Sequence, residues 1–191
     1  MRSARLATAL ACVAGLLAGC AELESESVPF CPGPGRNATI VVLMAQAVPS
    51  AAYAPCISEF PAGWTFGGER IRHDRPEFWL DSDRAGIRAV TVTLTRDCDV
   101  SRAVEVPQEA GEPPMKRYEE PNALPPTFSG NRYYVFPGGC VTYRFNFLDG
   151  ATFAQAVEAS QALTFVSRAL GVTELAKDGF ILCGRGVSCP G

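Results

Sequence analysis

Cysteine constrains this chain more than any other feature. Six of its eight cysteines, Cys31, Cys56, Cys98, Cys140, Cys183 and Cys189, follow a leader that sends the chain out of the cytoplasm. That leader carries Arg2 and Arg5, then a mostly apolar stretch over 6–17, then small residues before Cys20, the order of an export signal. The apolar run is short of the roughly 20 residues a spanning helix needs. In an oxidising compartment an even set of six reads as three disulfides. Their spacings are wide, contain no C-x-x-C, and are accompanied by a single His, so no zinc site is expected. The fold must therefore bring distant segments side by side. One pair follows from strand geometry. Residues 88–95 alternate Val90, Val92 and Leu94 with Thr91, Thr93 and Thr95, and Cys98 lies just beyond. Residues 141–147 alternate in the same way, with Cys140 at their start. Antiparallel pairing of the two runs sets Cys98 beside Cys140, given a bulge or fray at the strand end. The other four cysteines stay unassigned.

The tetrapeptide Leu17-Ala18-Gly19-Cys20 resembles the lipobox of bacterial lipoproteins. That resemblance implies lipidation of Cys20 by palmitate-like acyl chains, cleavage of residues 1–19 as a signal peptide, and anchorage on the extracytoplasmic face of the cell membrane. Two acyl chains suffice for stable anchoring. Cleavage removes two Arg and no acid, so the net charge of −3 becomes −5. An acidic chain of this kind is a poor partner for nucleic acid. Residues 20–36, with Glu22, Glu24, Glu26 and three prolines, form the lipidated Cys and a solvated tether. Residues 37–191 then make a single domain, turn-rich with its share of the 18 Gly and 15 Pro.

The expected fold class is α+β: an antiparallel meander packed against one long C-terminal helix and stabilised by disulfides. A first strand is expected over 39–45, ended by Pro49 and Ser50, and a loop through Pro55, Cys56 and Pro61. Short strands follow at 64–66, 69–72 and 77–80, separated by Gly67-Gly68 and by His73-Asp74; residues 81–86 supply the next turn. Six prolines in 107–130 exclude regular structure there and predict a long surface loop. Residues 133–136 and 140–147 flank Pro137-Gly138-Gly139, a type II hairpin turn. From Thr152 to Leu170 the apolar residues Phe153, Ala156, Val157, Leu163, Val166 and Leu170 recur at helical spacing, with Gly171 as the stop. This helix should cover the sheet face bearing Val90, Val92, Val141, Tyr143 and Phe145. Residues 180–183 can add an edge strand, and 184–191 read as a Gly/Cys tail pinned by disulfides.

Beyond the leader, Ala45-Gln46-Ala47-Val48-Pro49-Ser50, Pro55-Cys56, Pro61-Ala62-Gly63-Trp64, residues 80–86 and Phe136-Pro137-Gly138-Gly139-Cys140-Val141-Thr142-Tyr143 resemble an actinobacterial cell-envelope family over about residues 40–148. The resemblance implies an envelope location and a single fold, and it carries no catalytic residue.

Candidate chemistry is sparse. His73 with Asp74 could act as a general base and its orienting acid, although adjacent residues at a hairpin tip rarely converge on one atom. Asp81 and Asp83 could hold a cation or serve as paired carboxylates, while Asp-Ser-Asp is also ordinary turn chemistry and Arg84 can lock it. Asp81, Asp83 and Arg84 are the binding candidates. Trp64, Trp79, Tyr133 and Tyr134 could form an aromatic platform or belong to the core. Met115, Tyr118, Leu124 and Phe128 give the Pro-rich loop an apolar content unusual for a solvated linker. No nucleophile elbow, H-E-x-x-H helix or phosphate loop occurs, and no cofactor or metal is expected. The residues favour a lipid-anchored, non-catalytic binding or interaction module facing an envelope protein or wall component. A small envelope hydrolase using His73/Asp74 or Asp81/Asp83 is the alternative.

Overall fold

The computed structural model describes residues 28–107, 114–123, 128–148, 151–177, 179, 181–185 and 188. In chain order the elements are α1 (Thr39–Ala47), β1 (Tyr53–Ile57), β2 (Trp64–Arg70), β3 (Glu77–Ser82), β4 (Gly86–Thr95), β5 (Val104–Val106), β6 (Lys116–Ala123), β7 (Ser129–Phe136), β8 (Gly139–Asn146), α2 (Phe153–Ala162), β9 (Leu163–Ser167) and α3 (Arg168–Lys177). The structure is mostly antiparallel sheet with three helices among the described residues.

The alternating runs behave as their patterns require. Val92 pairs with Tyr143 and Leu94 with Val141, so the apolar sets of β4 and β8 share one face. Phe78, Leu80, Val90 and Phe145 extend that face into the main core. The seven-stranded sheet runs β2-β3-β4-β8-β7-β6-β5 and is not a simple meander. Two meanders, β2 to β4 and β5 to β8, are joined by the β4–β8 pair. At the end of β4, Thr95 pairs with Cys140, and Cys98 comes back to bond Cys140 with their Cα atoms 5.8 Å apart. The chain beyond the strand absorbs the parity mismatch. The turn at Pro137-Gly138 has Gly138 at φ 72°, where a Cβ would collide with the Ser50 carbonyl.

Several expectations need correction. Residues 39–45 form helix α1, not a strand. Ile40 and Met44 face the main core while Val41 and Ala45 face a second cluster with Ala54, Val166 and Leu175. A helix clamped between two apolar surfaces is apolar on most sides, so its sequence imitates a buried strand. The single long helix is split in two: α2 ends at Ala162, Leu163 turns extended, and β9 pairs with β1 before α3 begins. β-Branched and aromatic residues in Leu163-Thr164-Phe165-Val166 suit that strand, and Gly171 lies within α3 rather than ending a helix. The α2 face against the sheet is Ala156 and Ala159, while Phe153 and Val157 are exposed. Pro55 and Cys56 lie in β1 and not in a loop. Cys56 is bonded to Cys31, Cα atoms 4.9 Å apart.

The Pro-rich segment 107–130 is not loop throughout, because β6 runs through Pro121. That proline sits at a register shift opposite Gly130, where the ladder does not need its missing N–H. Gly67-Gly68 makes a bulge within one strand and does not separate two. Residues 181–183 are not in a strand. Cys183 is disulfide-bonded. Cys20, Cys189, Phe180 and Leu124 lie outside the described residues, as do the leader and residues 20–27 of the tether. No helix among the described residues is long and apolar enough to cross a membrane.

Tyr143 is buried at the centre of the core, and its hydroxyl has no hydrogen-bond partner among the described residues. Burial pushes its phenol pKa well above the ordinary value. Replacing it by Phe removes an unsatisfied polar group without creating a cavity. Tyr143→Phe is expected to raise the unfolding free energy by about 1 kcal/mol in urea titration; a decrease would mean that the hydroxyl has found a partner.

Candidate functional site

His73 and Asp74 occupy the connection between β2 and β3. His73 Nδ1 lies 2.9 Å from Asp74 Oδ2, and Arg96 lies 3.8 Å from Asp74 Oδ1. Asp74 adopts φ 61°, and its backbone N–H donates to the Ala47 carbonyl at the end of α1 (2.9 Å). The pair lines an open cleft of about 740 Å³ with Ser50, Arg96 and Arg185. The His73 side chain is 83% exposed, so solvent competes with any proton transfer through it. Ser50 Oγ donates to the Gly138 carbonyl (2.7 Å).

The segment from Asp81 to Arg84 is engaged in building its own turn. Asp81 Oδ1 accepts from the Arg88 N–H (2.7 Å), and Ser82 Oγ accepts from the backbone of Arg84 and Ala85. Arg84 lies 3.5 Å from Asp83 and makes its closer ion pair with Glu158 of α2 (2.6 Å). That pair holds the Arg84 pKa above its ordinary value. Among the described residues, no group of three or more His, Cys, Asp or Glu side chains could hold a metal ion.

The four aromatics do not converge. Trp64 belongs to the core and Tyr134 packs against it. Trp79 lies on the opposite sheet face beneath the Arg88 guanidinium, 3.7 Å from the ring centre. Tyr133 shares that opposite face with Glu120, which is only 7% exposed.

Glu120 accepts from the Tyr133 hydroxyl (2.7 Å) and Asn131 Nδ2 (3.1 Å), and Arg102 lies 2.9 Å away. The bond from Tyr133, then that from Asn131, holds its carboxyl below the usual range. Burial first, and Glu120 second, pushes the Tyr133 phenol up to about 12. Every partner is supplied by the protein, so the cluster works as a clamp between the 97–103 segment and the sheet. A carboxyl depressed by folding stabilises the protein above its unfolded pKa, and that stabilisation is lost as pH falls through the lower folded value. The melting-temperature gap between wild type and Glu120→Gln is therefore expected to be full at pH 7 and to close in acid. A gap that does not change with pH would remove the carboxylate from the clamp.

The most site-like cavity lies away from all of these candidates. A half-enclosed groove of about 620 Å³ runs between residues 32–39, α1 and α3. Pro32, Val42, Leu43 and Leu175 make its apolar surfaces, and Arg36 and Lys177 stand at its rim. It shares Pro32, Ala38, Val42 and Leu175 with a narrow apolar crevice between α1 and α3, of about 20 Å³, which Arg168 also lines. Arg168 is buried and donates to the carbonyls of Ala45 (2.7 Å) and Cys183. Burial lowers its pKa, with Arg185 adding to the effect. The sequence signal for this groove is slight: Leu43 continues the apolar run of α1 beyond the two stripes that the core uses, next to the half-buried Val42.

Comparison of the chain with protein-family models, with curated proteins and with solved structures returns no match.

Proposed function

We propose that the chain is a lipid-anchored, non-catalytic binding module of the cell envelope, held at the extracytoplasmic face of the membrane through Cys20 and receiving its ligand in the groove between residues 32–39, α1 and α3. The groove carries this reading. Its volume of about 620 Å³ and its apolar surface with a few polar groups at the rim fit a small-molecule site. The lipobox-like residues support the address. From Cys20 to Val28 an extended chain reaches at most about 29 Å, so the anchor keeps the groove close to the bilayer.

The test is a thermal-shift screen of the oxidised mature protein against lipids, wall fragments, glycans and divalent metals. A ligand at 100 times its Kd adds about 2.7 kcal/mol to apparent stability. A dose-dependent shift that Leu43→Glu abolishes is the expected result. Absence of any shift removes the small-ligand reading and points to an envelope protein partner, to be found by crosslinking.

A small envelope hydrolase is the second reading, favoured by the 2.9 Å His73–Asp74 contact in a cleft that Ser50 also lines. Asp81 and Asp83 serve it less well, being committed to their turn. The binding reading expects His73→Ala to leave folding and the ligand shift unchanged. Ester or amide turnover that disappears in His73→Ala would establish the hydrolase instead.

A further inference from the structure

Resting on the groove as the binding site, we propose that its ligand is an anionic membrane phospholipid, which lays one acyl chain along the groove and sets its headgroup at Arg36. The hydrogen-bonding groups of the lining select this class. Thr39 Oγ1 donates to Asn37 Oδ1 (2.5 Å), which also accepts the Thr39 N–H (2.9 Å). Gln46 Nε2 donates to the Ile181 carbonyl (3.3 Å), and Lys177 Nζ is paired with Glu174 (2.8 Å). The polar side chains are thus largely engaged with protein partners, and the greater part of the groove surface is apolar, with Pro32, Val42, Leu43 and Leu175 its main hydrophobic side chains. A sugar or wall peptide needs donors and acceptors along its length, whereas an acyl chain needs only apolar contact.

Arg36 is the exception. Its Nη1 donates to the Ser58 carbonyl (2.8 Å) and its guanidinium lies over the Phe30 ring, 5.2 Å from the centre. No carboxylate pairs with it among the described residues, although the chain as a whole is acidic. Its remaining donors suit a phosphate. Leu43 and Ile181, 37% and 52% exposed, flank the Gln46 contact and give an apolar route from the bilayer. The short reach from Cys20 keeps that route near the membrane.

The experiment uses the mature lipoprotein, incubated with phosphatidylglycerol vesicles, re-extracted in detergent and weighed by native mass spectrometry. A non-covalent adduct of one phosphatidylglycerol per chain is expected. Leu43→Glu, at an exposed position that should not disturb folding, is expected to lower occupancy about tenfold, because it places a charge in the acyl path. Arg36→Gln should keep the adduct and lose its preference for phosphatidylglycerol over phosphatidylcholine. Ile87→Glu, at a 79% exposed apolar residue outside the groove, should leave occupancy unchanged. The proposal is overturned by an absent adduct, by equal occupancy in Leu43→Glu, or by an equal loss in Ile87→Glu. An adduct gained only after the protein's own lipid is removed would overturn it as well, since that lipid would be the occupant. If the adduct is absent while a water-soluble ligand still gives a shift sensitive to Leu43→Glu, the binding-module reading stands and only the phospholipid falls. If both are absent, both fall.

Discussion

Cys98→Ser is expected to destabilise the oxidised mature protein by about 4 kcal/mol, because the bridge to Cys140 spans a sequence separation of 42 and restrains the unfolded chain over that distance. Loss of the Cys31–Cys56 bridge, at a separation of 25, is expected to cost about 3.5 kcal/mol. Either is a large share of the roughly 5–15 kcal/mol that holds an ordinary domain together. Reduction of the wild type should therefore lower its urea midpoint more than either single loss does. A midpoint unchanged after complete, verified reduction would mean that the bridges restrain little.

Met44→Ala and Leu43→Ala should differ sharply, although the two residues are neighbours. Met44 is fully buried against the main sheet, and its truncation leaves a cavity costing about 2–5 kcal/mol. Leu43 is 37% exposed at the groove, and its truncation should cost less than about 1 kcal/mol. The triplet Val41, Val42, Met44 separates helix from strand. A strand would bury Val42 with Met44 and turn Val41 away, whereas the helix buries Val41 and Met44 against different partners and leaves Val42 at the groove. Val41→Ala should therefore destabilise more than Val42→Ala; the reverse order in urea titration would contradict α1.

What the sequence makes legible is structure whose two faces carry different chemistry. β3, β4 and the β7–β8 hairpin show their alternation because one side carries the apolar core residues and the other more polar ones, including the buried but hydroxyl-bearing Thr91 and Thr93, and the same registry places Cys98 beside Cys140. Elements apolar on more than one side give misleading patterns. α1 lies between two clusters and reads as a strand, while Leu163–Ser167, at the helical spacing of its neighbours, becomes a strand because β1 offers it an edge. Pro121 hid β6 because a register shift, invisible in the chain itself, excuses its missing donor. The groove was less legible still. Residues 32–39 and 174–177 line one cavity from opposite ends of the domain, and neither segment carries a motif. The acid pair and the lone His stood out by composition, but their partners are those of turns.

The first described residues are fastened twice. Phe30 bridges Ile57 in parallel, and Cys31 is bonded to Cys56, both in β1. Mechanically, tension arriving from the chain ahead of Val28 passes through a covalent link into the β1–β9 pair and does not peel residues 32–39 away one hydrogen bond at a time. The groove wall is thus shielded from load. A pull on the N-terminus should tilt the whole domain as a rigid lever while the groove keeps its shape, and in reduced protein the same pull should unzip that wall first.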